Sequence, residues 1–217
     1  MKKVLFTIVL AAVILLCSDT YAQLKFSLGP RAGINLANLS FDPDLPDGVD
    51  KSSRLGFKFG VLAELGFSPM LAVQIEPMYA MKGTELEGSV QGQTAKQNFK
   101  LSFIEIPILL KVKFTAGSVT PYVFAGPNIG LLLSSDVETE FGGQTNEVDI
   151  KDETSSIDLA VDFGAGVGFA AGPGIVIMFD VRYALGLSDL NDDPQDPNRT
   201  IKSTGIQILV GAAFTLN

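Results

Sequence analysis

The stretch IVIMFDVRYALGL, Ile175 to Leu187, is apolar at every odd position, and Asp180, Arg182 and Gly186 stand between the apolar residues. Strict alternation over this length is the mark of a strand with two unlike faces. An unbroken apolar row opposite an aspartate and an arginine needs cover on one side and charge partners on the other. A small barrel in a membrane supplies both: the odd face meets lipid and the even face fills the lumen.

The same alternation recurs along the chain and predicts eight strands, over 25–38, 54–67, 71–82, 99–114, 119–133, 156–170, 175–187 and 203–216. The second carries Leu55, Phe57, Phe59, Val61, Ala63 and Leu65 on one face. The sixth runs from Ile157 by odd positions to Phe169, and the eighth from Ile206 by even positions to Leu216. No segment after Gln23 sustains helical periodicity. Pro77, Pro107, Pro121 and Pro127 fall inside these strands, and because proline cannot donate to a ladder, local bulges are expected there.

Connection lengths fix the topology. LSFDPDLPDGVDKSS, GTELEGSVQGQTAKQN, SSDVETEFGGQTNEVDIKDETS and SDLNDDPQDPNRTIK alternate with the short SPM, TAGS and AGPG. In an antiparallel meander this places every long connection at one end, as in outer-membrane barrels with short periplasmic turns and long outer loops. The long connections hold seventeen acidic residues against five basic ones. A soluble lipocalin-like ligand carrier also has eight antiparallel strands, but it buries its apolar face and shows polar residues to water. The opposite faces here, Gly56, Lys58, Gly60 and Glu64 or Asp158, Ala160, Asp162 and Gly164, mix small residues with isolated charges, as a packed interior does.

The chain opens with Lys2 and Lys3, an apolar run from Val4 to Cys17 and the small-residue ending Thr20-Tyr21-Ala22. That is the order of a signal peptide cleaved before Gln23, leaving residues 23–217 as one barrel domain. A run of fourteen residues is short for a spanning helix, which needs about 20. Leu16 precedes Cys17 where a lipidation signal wants a small residue, so the cysteine leaves with the leader. No cysteine then remains, and histidine is absent throughout. Disulfides, Ser-His or Cys-His catalysis and histidine metal centres are excluded. The net charge of −8 becomes one unit more negative without the leader and disfavours a nucleic-acid partner.

In FIEIPILLKVKF (Phe103–Phe114), PYVFAGPNIGLLLSSD (Pro121–Asp136), DFGAGVGF (Asp162–Phe169), FDVRYALGLSDL (Phe179–Leu190) and the closing ILVGAAFTLN, the chain resembles the PorT-like outer-membrane β-barrel proteins. The resemblance spans nearly all of the chain after the leader. It implies an all-β, eight-stranded antiparallel up-and-down transmembrane barrel and places Pro107 and Pro121 where that family has them. Some members are tied to protein secretion and gliding machinery. The ending Phe214-Thr215-Leu216-Asn217 departs from the aromatic finish common in barrel assembly signals.

Arg31, Lys58, Glu64, Glu76, Glu105, Lys111, Asp158, Asp162, Asp180 and Arg182 fall on the inner face. Side chains fill an eight-stranded barrel, so these charges are expected to pair with one another rather than stand alone. A carboxylate pair for acid–base work would lack a substrate route, and a narrow ion path is the competing role. Asp189, Asn191 and Asp193 alternate like the start of a calcium loop, yet Pro194 and Thr200 occupy the places of its glycine and glutamate. Asp189, Asn191 and Asp193 are weak metal candidates there, and no cofactor is implied. GAGVG (Gly164–Gly168) lacks the third glycine of a dinucleotide fingerprint and lies in a strand pattern; its glycines instead admit close neighbours.

The expectation is a monomeric outer-membrane barrel in contact with lipid, both termini in the periplasm, without enzymatic activity. Its acidic outer loops would serve a structural or interaction role with an envelope or secretion protein. A small-solute or ion pore is the alternative, followed by the soluble carrier.

Overall fold

The computed structural model describes residues 24–90, 92–114 and 117–216, so the expected leader and Cys17 lie outside the described residues. The strands are β1 (Lys25–Asp42), β2 (Asp50–Gly66), β3 (Leu71–Ile75), β4 (Met78–Val90), β5 (Gln93–Lys113), β6 (Val119–Phe141), β7 (Gln144–Asp149), β8 (Ile157–Gly172), β9 (Ile175–Gly186) and β10 (Thr200–Leu216). Every pairing is antiparallel. β1 pairs with β2 on one side and with β10 on the other, with Phe26 opposite both Leu65 and Leu216, and this closes the sheet into a barrel.

Ten segments make eight staves. β3 and β4 are one stave interrupted at Glu76–Pro77: both pair with β2 and with β5, and the register does not shift across the gap. β7 is the return limb of a hairpin built on the far end of β6, turning at Gly142 and Gly143, whose φ values of 59° and 77° suit residues without a Cβ.

Two sequence expectations are corrected. The strands extend well past the expected ends, so that 83–98 and 134–155, expected as loops, are largely β-hairpins: Glu87 lies opposite Lys96, and Glu138 opposite Glu147. Their charged, water-facing residues hide strand character, because alternation against an apolar face stops where the membrane stops. The prolines also do not cause bulges. Register shifts lie at Ser53/Lys58, Ser102/Phe103 and Ala170/Gly172 instead. Each of three prolines still presents its carbonyl to a neighbour, accepting from Val61 N (Pro77, 3.2 Å), Glu76 N (Pro107, 3.1 Å) and Phe114 N (Pro121, 2.8 Å). A missing donor forfeits one ladder bond, and an extra residue is not needed to accommodate it.

The apolar faces point outward. Phe57 is 58% exposed and Val181 57%, with Phe59, Leu159, Phe179 and Ile208 on the same outer surface. A belt of this extent is far beyond the apolar patches that water-soluble monomers carry, so the lipocalin-like arrangement is overturned. Cross-strand aromatic pairs such as Phe163–Tyr183, centroids 5.5 Å apart, and Phe59–Tyr79, 5.2 Å, stiffen this surface.

Candidate functional site

The lumen is filled by the residues of the opposite parity. Arg31, Lys58, Glu76, Glu105, Lys111, Asp158, Asp162, Asp180 and Arg182 are buried, and Glu64 is partly buried toward the short-turn end. They meet across the barrel rather than along it. In the central group Arg31 bridges Glu76 (Nε–Oε1 3.0 Å) and Asp180, while Arg182 bridges Glu76 (Nη2–Oε2 2.9 Å), Asp162 (3.4 Å) and Asp180 (3.6 Å). Tyr122 donates its hydroxyl to Asp180, and Asn128 its amide to Asp162 at 3.3 Å. Glycine makes room for this group. A Cβ on Gly164 would stand 2.9 Å from Arg182 Cα and 2.9 Å from the Phe124 ring, and one on Gly166 would meet Tyr122 at 2.6 Å.

Toward the loop end a second group joins Lys58 to Glu105 (2.5 Å) and Gln207 (2.9 Å), and Lys82 to Glu105 (2.5 Å) and Asp158 (2.8 Å). Toward the turn end Lys111 and Lys113 share Glu64 at 2.9 and 2.8 Å, and Lys111 also donates to Gln74. Lys82 escaped the sequence analysis. The signal was present, since the even positions from Ala72 to Leu86 all face inward straight through Pro77. With Lys82 counted, the five buried cations among the described residues, Arg31, Lys58, Lys82, Lys111 and Arg182, face five buried carboxylates, Glu76, Glu105, Asp158, Asp162 and Asp180. The rim pair Glu64–Lys113 adds one of each. Such neutrality is what a low-dielectric interior requires of charges it holds.

Apolar layers pack among and cap these groups. Leu62, Leu109, Phe124 and Met178 cluster beside the central and turn-end groups, which Gln74 links by accepting from Lys111 and donating to Glu76, and Leu39, Phe41, Leu86, Leu101, Phe103 and Leu190 cap the loop end. Arg182 lies over the Phe124 ring at 5.0 Å and Lys111 over Tyr122 at 4.1 Å, so the cations also use the aromatic layer.

Above the loop-end cap the β5–β6–β7 sheet and the last connection enclose a cleft of about 350 Å³. Asp189, Asn191 and Asp193 fold that connection. Asp189 accepts from Asn191 N (3.0 Å) and Ile201 N (2.8 Å), the Asn191 amide donates to the carbonyls of Asp196 (2.8 Å) and Arg199 (2.7 Å), and Asp193 accepts from Gln195 N (2.7 Å). Asp189 Oδ1, the Asn191 amide and one oxygen of Asp193 are thus held in turns, and no metal-binding cluster occurs among the described residues. On the outer face of the β6–β7 hairpin Lys100 holds Glu138 (2.6 Å) and Glu147 (3.2 Å) together. Those hydrogen bonds, Glu138 first, raise the lysine's pKa above its ordinary value.

A closed antiparallel barrel with a lipid-facing apolar belt defines an outer-membrane β-barrel, and the sequence agrees. The model of the outer membrane protein beta-barrel domain family matches residues 21–192, and the chain belongs to that family. It is an outer-membrane protein. No curated protein matches the sequence. Among solved structures, Neisserial surface protein A superposes with a TM-score of 0.50 at 16% identity, over 87% of this chain and 96% of that one. The outer membrane protein OprG from Pseudomonas aeruginosa gives 0.47 at 12%, over 90% and 97%, and the attachment invasion locus protein Ail of Yersinia pestis gives 0.40 at 17%, over 88% and 99%. At these identities the likeness is one of fold.

Proposed function

We propose that this protein is a monomeric surface-interaction component of the outer membrane, PorT-like in kind, whose outer hairpins engage a protein of the envelope or of a secretion assembly. The observation that carries this proposal is the lumen: paired charges and apolar layers occupy it from turn end to loop end, which disfavours both a pore and a substrate pocket for an enzyme. Chain length is spent instead on β4–β5 and β6–β7, which continue as sheet beyond the lipid-facing belt and carry acidic side chains. The test is affinity purification from gently solubilised outer membranes, comparing the intact chain with a variant in which residues 138–147 are shortened to the glycine turn. A stoichiometric partner lost with the hairpin supports the proposal. A hairpin-shortened protein that keeps every partner, or steady bilayer conductance reduced by Arg182→Ala, overturns it.

A further inference from the structure

The cleft above the cap has the attributes of a ligand site rather than of a gap between loops. Its floor is Phe99, Leu101 and Ile201, continuous with the buried cluster, and its wall includes Val137, Val148 and Ile150. Val148 is 51% exposed although it lies beyond the lipid-facing belt, on the hairpin limb that faces the cleft, so lipid does not cover it. Its size lies at the small end of the roughly 300–1,000 Å³ range of ligand pockets, and apolar walls with a few placed polar groups are what such pockets present.

The frame is preformed. The Asn191 amide ties together the two carbonyls that shape the last connection, and Ser135 and Thr154 hydroxyls join at 2.9 Å beneath the opposite wall. The charged residues of the lining are mainly acidic. Glu153, Asp193 and Asp196 line the cleft against Arg199 alone, and Arg199 Nε already lies 3.1 Å from Asp196. Of the three carboxylates only Asp196 has a cationic partner among the described residues.

We propose that this cleft binds a small primary amine with an apolar body, the body against Phe99, Val137 and Val148 and the ammonium between Glu153 and Asp193. Anionic amphiphiles are disfavoured by the same carboxylates. This goes beyond the interaction role above and does not depend on any protein partner.

The test uses the full-length barrel in phosphatidylcholine nanodiscs, titrated with phenethylamine, its neutral isostere phenethyl alcohol and the anion 3-phenylpropanoate. Expected are saturable amine binding, at least tenfold tighter than that of the anion, and loss of that binding in Val148→Trp, which fills the cleft. Glu153→Gln combined with Asp193→Asn should reduce the preference for amine over alcohol by about tenfold. Heat-modifiable mobility on gels verifies that each variant has folded, and Val137→Trp replaces Val148→Trp if the latter fails. Equal binding of amine and anion, or amine binding that survives filling of the cleft, overturns the proposal.

Discussion

Replacing Arg182 by methionine tests the paired-charge interior most sharply. The guanidinium has no exposed surface and contacts three carboxylates, Glu76 at 2.9 Å, Asp162 at 3.4 Å and Asp180 at 3.6 Å. Glu76 and Asp180 keep Arg31 after the substitution, whereas Asp162 keeps only the Asn128 amide at 3.3 Å. Breaking a buried pair from one side costs about 3–5 kcal/mol, because the remaining charge is stranded. Arg182→Met should therefore lower barrel stability by about that amount in urea titrations in lipid vesicles, read by heat-modifiable gel mobility and tryptophan-free near-ultraviolet circular dichroism. Adding Asp162→Asn removes the stranded charge and restores the balance at four cations and four carboxylates, with Lys58, Lys82, Lys111 and Arg31 facing Glu76, Glu105, Asp158 and Asp180. The double variant should thus recover much of the loss. If Arg182→Met costs under about 1 kcal/mol and Asp162→Asn adds nothing, the lumen is solvated and the filled-interior reasoning fails.

The lipid face answers to the opposite change: Val181→Arg, at a side chain 57% exposed to the bilayer, should cost about 2–4 kcal/mol near the midplane, and a neutral result in the same titration would reverse the assigned facing. Gly166→Ala forces a methyl group to 2.6 Å from Tyr122 and should cost about 1–3 kcal/mol by overpacking, measured likewise. Lys100→Met should leave global stability within about 1 kcal/mol, since exposed pairs contribute little. It should nevertheless speed amide exchange in β7, where Glu138 and Glu147 would face each other without their shared cation.

The barrel was legible because period-two alternation is enforced wherever one face meets lipid. Ile175 to Leu187 shows it without a break, and β9 ends at Gly186, one residue short of the pattern's end. Legibility fails where that enforcement ends. Glu85, Glu87, Glu138 and Glu147 lie in paired strands that water bathes, where only scattered apolar residues such as Leu86, Val137 and Val148 mark the parity. The inner charges could be assigned to the lumen by parity, but not to their partners. Arg31 on β1 meets Glu76 beside β3 and Asp180 on β9, contacts set by closure and shear rather than by sequence separation.

Those cross-lumen partners say why charge is kept in an interior that apolar side chains could fill equally well. Buried ion pairs are often no more stabilising than a well-packed apolar replacement, so the layer is poorly explained by stability alone. Its effect on alternatives is larger. A strand that slips by one residue turns its whole inner face toward lipid. For β9 such a slip would carry Asp180 and Arg182 into the bilayer at about 2–4 kcal/mol for the arginine alone, while leaving Asp162 without its cation and Glu76 with Arg31 alone. The same penalty falls on β2 through Lys58 and on β5 through Glu105 and Lys111. Each of these strands has an apolar outer row within the membrane that would slide against lipid with little resistance, since one apolar side chain replaces another there. Register in this barrel is therefore held chiefly by the cost of misplacing its inner charges, and substitutions that neutralise the network in balanced pairs should preserve stability while broadening the set of registers that assemble.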